Sequence, residues 1–139
     1  MQPIYIDAQT QWKVSLTRQL MANNITVTKN RNAAGSVITL QQVVRSNRSL
    51  SVSAEGRDAE RLRSVNVQLA WVSKQRTLIA PVLLSAEREQ LTNPEQRAAQ
   101  QRESELVDNE LTQMITAQTL QLIRYAQHSE PNKAALSSQ

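Results

Sequence analysis

Five arginines surround one predicted turn and are the residues of this sequence best suited to bind an anion. They are Arg45, Arg48, Arg57, Arg61 and Arg63. A guanidinium group is permanently charged, and its paired N–H groups match the oxygens of a phosphate or a carboxylate. The sequence therefore predicts an anion-binding surface on a hairpin whose turn lies at residues 55–58. A charged strand edge that only keeps the protein soluble explains the same residues equally well.

No residues in the sequence have the spacing of a catalytic or metal site. His128 is the single histidine and cysteine is absent, so neither a metal-ligand set nor a Ser-His-Asp triad can be assembled around a second such residue. Gly35 and Gly56 do not form a phosphate-binding loop. The four acids between residues 103 and 110 are predicted to fan around a helix as a solvated face. We therefore expect a non-enzymatic protein without a cofactor. A small enzyme with an acidic site on that helix is the least favoured of three hypotheses.

Positive charge is concentrated in the predicted sheet, and negative charge precedes the last predicted helix and fills its first turns. Residues 29–76 carry nine basic and three acidic side chains, a net charge of +6, whereas residues 85–110 carry seven acids and three arginines, a net charge of −4. The helix dipole favours acids near a helix N-terminus, so the negative half requires no function. The positive half could bind nucleic acid, which is the second hypothesis. With two Trp and no Phe, few aromatic rings are available to stack on bases.

A short strand followed by an amphipathic helix is predicted at the start of the sequence. Residues 4–6 form the strand, and apolar residues at i, i+4 and i+8 then place one apolar stripe on the helix. The stripe consists of Trp12, Leu16 and Leu20. Asp7 is expected to cap the helix, and the two asparagines at 23–24 are expected to end it. Residues 25–28 have the composition of a second short strand.

Three longer strands are predicted between residues 36 and 87. The clearest has the period of two that is typical of a strand covered on one face. Its apolar residues are Val65, Val67, Leu69 and Trp71. The strand before it is interrupted by polar residues, which predicts a bulge or an overhang near residues 41–48. Its apolar residues of one parity are Ile38, Leu40, Val44, Leu50 and Val52. Both Trp12 and Trp71 are predicted to anchor the core.

The strand after the turn at residues 73–76 contains a proline, and the last element is a long helix. Pro81 cannot donate to a strand ladder, which favours an edge position. The apolar residues expected to share one face of that strand are Leu78, Ala80, Val82 and Leu84. Asn93 and Pro94 are a typical helix start, and the helix is predicted to end near His128. Its predicted stripe is Val107, Leu111, Met114, Gln118, Leu122 and Tyr125.

These elements predict an α+β fold with two layers, in which two helices pack on one face of a mostly antiparallel sheet of about four strands. Residues 1–128 are expected to form a single domain. Residues 129–139 are polar and are expected to be a disordered C-terminal tail.

The order of these segments resembles the LptE family of lipopolysaccharide-assembly lipoproteins, formerly called rare lipoprotein B. The matching segments are 4–7 (IYID), 17–20 (TRQL), 24–27 (NITV), 51–52 with Gly56 and 59–60, and Asn93 with Pro94. Together they run from Ile4 to about Tyr125. The resemblance implies an LptE-like α+β domain over residues 1–128.

The resemblance also implies a location and partners. LptE-like proteins are lipid-anchored at the periplasmic face of the outer membrane, where they plug the LptD β-barrel in a one-to-one complex. Together the two proteins deliver and insert lipopolysaccharide at the cell surface, and the plug is thought to bind lipopolysaccharide itself. The implied anchor is an N-terminal lipidated cysteine, and this sequence contains no cysteine. With this reading, no nucleic-acid partner is expected.

The resemblance does not transfer the family's lipopolysaccharide-contacting residues directly. The family's basic positions fall near Ala54 and Gln100, which are uncharged here. Nearby arginines are therefore the candidates for binding lipopolysaccharide or another anion. The candidates are Arg57, Arg61, Arg63, Arg97 and Arg102.

Overall fold

The fold is described from a computed structural model, whose backbone is described for residues 2–52, 58–91 and 97–137. The predicted turn residues 55–57 and the predicted helix start at Asn93 and Pro94 lie outside these ranges. The elements in chain order are β1 (Ile4–Asp7), α1 (Thr10–Ala22), β2 (Val27–Thr28), a 3-10 turn (Arg31–Ala33), β3 (Ser36–Val52), β4 (Asp58–Ser73), β5 (Thr77–Leu91) and α2 (Arg97–Ser137).

The sheet has the strand order β2-β1-β3-β4-β5 and is mixed. The long strands β3, β4 and β5 are antiparallel neighbours, whereas β1 runs parallel to both β2 and β3. The predicted α+β fold is confirmed, with five strands in place of about four. The additional strand is β2, which contains only two residues.

The inner face of β4, the middle strand of the antiparallel β3–β4–β5 meander, is the base of the core. Val65, Val67 and Leu69 are fully buried, and Trp71 donates its indole N–H to Ser36 Oγ at 2.8 Å. Both helices contribute to the same cluster. The helical members with no exposed surface are Trp12, Leu16, Leu20, Ile115 and Ile123. Two helices therefore cover one face of the sheet, and both tryptophans are core residues as predicted.

A bulge in β3 reverses which side chains face the helices. Leu40 pairs with Leu69, but the register shifts between Gln41 and Val44, so that Val44 pairs with Asn66 on the outer face. A bulge or an overhang was predicted near residues 41–48, and a bulge at this position is confirmed. The prediction that Val44 shares the buried parity is wrong, because the extra residue turns its side chain outward.

A second irregularity, near Pro81, has the same effect in the edge strand β5. Leu84 faces the core opposite Val67, as predicted. The register shifts between the pairs Leu69–Val82 and Trp71–Ile79, so Ile79 replaces Ala80 on the inner side. The predicted edge position of β5 is confirmed by the strand order.

Helix α1 has no side-chain cap at its N-terminus, and it ends at two asparagines. The helix begins at Thr10 with Gln9 at the cap position and no side-chain cap bond, so the prediction that Asp7 caps it is wrong. Asp7 is the last residue of β1, and its carboxylate lies 3.7 Å from Arg31. At the other end, Asn24 has a φ of 63°, a conformation that asparagine tolerates better than most residues.

Helix α2 buries part of the predicted stripe. Val107 and Leu111 are buried as predicted, whereas Met114 and Tyr125 are exposed. Three threonines are buried in addition, and these are Thr112, Thr116 and Thr119. The threonine hydroxyls can enter the interface because each donates to the backbone carbonyl four residues earlier.

The end of α2 also differs from the prediction. Its backbone is helical to Ser137, whereas the helix was predicted to end near His128.

Shortening the central side chain of the core tests the assignment of the buried face. Leu69→Ala is expected to lower the free energy of unfolding by about 2–4 kcal/mol, because it removes buried methyl groups and leaves a cavity. The measurement is equilibrium urea unfolding followed by circular dichroism. Leu83→Ala is the matched control, since Leu83 is 63% exposed on β5. Equal losses in the two variants would contradict the assignment.

Candidate functional site

The arginine side chains of the hairpin divide into an inner group and an outer group. The inner group forms what we call the interlayer polar cluster, where β3, β4 and β5 meet α2. Its members are Arg45, Arg63, Gln90, Ser104 and Asp108. The cluster lies directly beyond the buried Val65, at the point where the inner row of β4 changes from apolar to charged.

Arg63 is the centre of the interlayer polar cluster. Its guanidinium group donates to the Asp108 carboxylate, to the carbonyl oxygen of Ser104 at 3.0 Å and to Gln90 Oε1 at 3.4 Å. Only 15% of the side chain is exposed. Arg63 therefore holds the sheet to α2, and its charge is balanced within the protein.

Arg45 reaches the same carboxylate from β3. Its guanidinium nitrogen lies 3.8 Å from Asp108 Oδ1, and its carbon lies 5.8 Å from the centre of the Trp12 ring. This cation–π contact joins β3 to α1. Asp108 is thus shared by two arginines, so sequence-based reasoning that treated it as part of a solvated acidic face was incorrect.

The outer group keeps its basic charge at the surface. Arg61 donates from Nε to Asn47 Oδ1 at 2.5 Å and from Nη2 to the Asn47 carbonyl oxygen at 3.0 Å, both at exposed positions. Arg48 is exposed on the neighbouring strand, opposite Leu62. Of the two, Arg48 is the more exposed, whereas Arg61 is partly buried and bonded to Asn47.

The remaining candidate arginines are separated along the chain. Arg102 is exposed in the first turns of α2, and the backbone of Arg97 begins that helix. Arg57 and the side chain of Arg97 lie outside the described part of the structure. Of the five candidates, the structure therefore locates the side chains of Arg61, Arg63 and Arg102. Arg102 is exposed, whereas Arg61 and Arg63 are partly buried.

A polar groove between the two helices is a feature that sequence analysis missed. It has a volume of about 780 Å³, and seven of its ten lining residues carry amide or hydroxyl side chains. Among these seven are Gln11, Ser15, Gln19 and Thr112. The signal that could have found it is the spacing of polar residues at i, i+4 and i+8 in α1, on a face beside the apolar stripe.

Hydrogen bonds across the groove join the two helices in what we call the polar seam. Gln11 Nε2 donates to Thr112 Oγ1 at 2.8 Å, and Gln19 Nε2 donates to Thr116 Oγ1 at 2.6 Å. Ser15 and Thr116 share a hydroxyl bond of 3.1 Å. The partners ascend together along both helices, so α1 and α2 run parallel to each other.

The described residues supply little of the chemistry that the rival hypotheses require. They contain no group of three or more His, Cys, Asp or Glu side chains placed to hold a metal ion. Both tryptophans are buried, so neither is available to stack on a base. Neither helix, within its described residues, is apolar over a length that could cross a membrane.

Comparisons with known proteins give a clear answer for the fold. No protein-family model matches the chain, and no curated protein matches it by sequence. Solved structures do match, among them a rare lipoprotein B from Shewanella oneidensis with a TM-score of 0.72 and 18% identity over 95% of this chain and 98% of that one.

Two further solved structures have the same fold. One is an uncharacterized lipoprotein B from Nitrosomonas europaea, with a TM-score of 0.69 and 19% identity over 86% of this chain and 79% of that one. The other is a minor lipoprotein from Acinetobacter baumannii, with a TM-score of 0.70 and 12% identity over 92% of each chain. The resemblance to rare lipoprotein B predicted from the sequence is confirmed, and at these identities the likeness establishes the fold.

Removing the central arginine tests whether the interlayer polar cluster holds the two layers together. Arg63→Ala is expected to cost about 1.5–3 kcal/mol of unfolding free energy, because it leaves the Asp108 carboxylate without its closest partner. Arg61→Ala is expected to cost less than about 1 kcal/mol, since its bonds are exposed. Urea unfolding of the two variants gives the comparison. A loss for Arg63→Ala no larger than that for Arg61→Ala would refute the structural role.

Proposed function

We propose that this chain is a member of the LptE family, formerly rare lipoprotein B. In this proposal it is a non-enzymatic outer-membrane assembly subunit that plugs the LptD β-barrel. It would help to deliver and insert lipopolysaccharide at the cell surface. It would be held at the periplasmic face of the outer membrane by a lipid anchor attached N-terminal to β1.

One observation carries the proposal: the match to the rare lipoprotein B of Shewanella oneidensis spans 95% of this chain and 98% of that chain, with a TM-score of 0.72. A match over both whole chains means that the order of strands and helices agrees, and not only one common motif. The sequence segments that resemble the LptE family lie in or beside the strands and helices of this fold. They include the β1 segment 4–7 and the segment 24–27 leading into β2.

The surface chemistry of the fold is suited to a polar barrel lumen. Such lumens are lined by polar residues, so a plug must present hydrogen-bonding groups and few large apolar patches. The helical side offers the amide and hydroxyl groups of the groove. The outer sheet face carries hydroxyl and amide pairs, including Ser46 with Ser64 and Ser85 Oγ donating to Asn66 Oδ1 at 2.6 Å.

Arginine side chains supply a second part of the proposal, which is direct contact with lipopolysaccharide. Lipopolysaccharide carries phosphate groups, and one guanidinium group can donate two parallel hydrogen bonds to a phosphate. Arg57, Arg61, Arg97 and Arg102 remain the candidates. Arg63 is left out, because its bonds to Asp108 and Ser104 occupy its guanidinium group.

Co-purification with the barrel tests the plug function. The chain is expressed with the LptD barrel of the same organism, and the detergent-solubilised complex is passed over a sizing column. A stable one-to-one complex is expected. A porin from the same outer membrane, expressed in the same way, is the control barrel. Elution of the chain apart from LptD, or equal retention by the porin, would refute the proposal.

Charge reversal tests the contact with lipopolysaccharide. The double variants Arg57→Glu/Arg61→Glu and Arg97→Glu/Arg102→Glu are each expected to bind lipopolysaccharide at least about fivefold more weakly at low salt. The difference should shrink as added salt screens the charges. Equilibrium binding to immobilised lipopolysaccharide provides the measurement.

The matched control for this experiment is Arg76→Glu. Arg76 is an exposed arginine in the β4–β5 turn, at the opposite end of the sheet from the hairpin. Wild-type affinity in both double variants, or an equal loss in Arg76→Glu, would remove these arginines from the lipopolysaccharide site.

A further inference from the structure

The outer half of β3 is an open strand edge in the described part of the structure. β1 is the neighbour of β3 on that side, and it pairs only with residues Ser36 to Thr39. Beyond the bulge, the described residues place no strand beside residues 44–48. The backbone N–H and C=O groups that face away from β4 there have no ladder partner, and such groups are a template for another strand.

The opposite edge of the sheet is protected, which makes the open edge of β3 distinctive. In β5, Pro81 has no N–H group to offer. Gln118 Nε2 of α2 donates to the Ser85 carbonyl oxygen at 3.0 Å. Residues 87–89 of the same strand carry charged side chains, which disfavour pairing with another strand. One of them, Arg88, also forms an ion pair with α2, in which its Nε lies 2.8 Å from Glu110 Oε2. Protection of this kind prevents strand addition.

The open edge combines exposed aliphatic surface with positive charge. Val44 is 58% exposed on the outer face of the sheet. Arg45 on the inner face and the exposed Arg48 are the charged side chains of residues 44–48. In the described part of the structure, the acidic side chain that Arg45 contacts is Asp108, at 3.8 Å. The Asp108 carboxylate is already bound by Arg63. The edge is therefore complementary to an acidic strand.

We propose that residues 44–48 of β3 accept an extended segment of a partner protein as an added strand. The partner segment carries an aliphatic residue beside Val44 and acidic residues beside Arg45 and Arg48. Main-chain hydrogen bonds supply the affinity of such a strand, and the side-chain pairs supply its selectivity. A second copy of this chain fits poorly, because its residues 44–48 include no acidic side chain to pair with Arg45 and Arg48.

The proposal does not rest on the plug function, because it is argued from the strand edge alone and is tested on the isolated chain. Five residues are close to the common length of a strand in globular proteins, which is about five or six. The segment is also short enough for a synthetic peptide to occupy in full.

The test uses the full chain and a fluorescein-labelled peptide, Thr-Glu-Thr-Thr-Glu-Val-Thr, whose antiparallel pairing places Val beside Val44 and one Glu beside each of Arg45 and Arg48. Binding is measured by fluorescence anisotropy, and the same peptide with Lys in place of both Glu residues is the charge control. The wild-type chain is expected to bind the acidic peptide at least about tenfold more tightly than the basic one. Amide hydrogen exchange at residues 44–48 is expected to slow when the acidic peptide is bound.

Two variants at the open edge and two matched controls complete the test. Val44→Lys and Arg48→Glu are each expected to weaken binding of the acidic peptide at least about fivefold. Leu83→Lys changes an equally exposed aliphatic residue on the protected edge, and Arg76→Glu reverses an arginine away from β3. Both controls are expected to bind as the wild type does. Circular dichroism confirms that each variant is folded.

Several outcomes would overturn the proposal. These are no binding of the acidic peptide, equal binding of the basic peptide, or wild-type affinity in Val44→Lys and Arg48→Glu. A dimer that forms with rising concentration and is lost in Val44→Lys would show that the occupant is a second copy and not an acidic partner.

Discussion

The carboxylate of Asp108 is the contact on which the relation between the two layers depends. The inner row of β4 is apolar from Trp71 to Val65, and the next inward residue is the cation Arg63. A buried charge of this kind must be compensated by an opposite charge. The helical layer therefore has to supply an acidic side chain opposite Arg63. Asp108 does so from α2, and it thereby fixes where that helix lies along the sheet.

Elements with a regular period could be predicted from the sequence. The alternation at residues 65–71 identified strand β4 and its buried face. The i, i+4, i+8 spacing of Trp12, Leu16 and Leu20 identified the buried face of α1. Asn24 marked the end of that helix because few other residues adopt a positive φ. These signals are local, and tertiary packing did not override them.

Other features depended on contacts that no local pattern encodes. The bulge in β3 could be located from the interruption by polar residues, but not its precise position, and one residue decides whether Val44 or Arg45 faces the helices. The buried threonines of α2 were overlooked because their hydroxyls bond to their own helix backbone. Charge and nearness along the sequence to Ala54 and Gln100 do not distinguish Arg63, bound inside the interlayer polar cluster, from Arg61, which bonds only at exposed positions.

The polar seam has a consequence for the order in which the chain folds. Its bonds join residues 97 to 101 positions apart, whereas the β3–β4–β5 meander joins neighbours in sequence. Closing so long a loop costs conformational entropy before any contact compensates for it. The meander is therefore expected to form first, and the two helices are expected to associate through the seam as a late step. Until then, a nascent chain carries the inner face of β4 uncovered, which is the state in which it is most prone to aggregate.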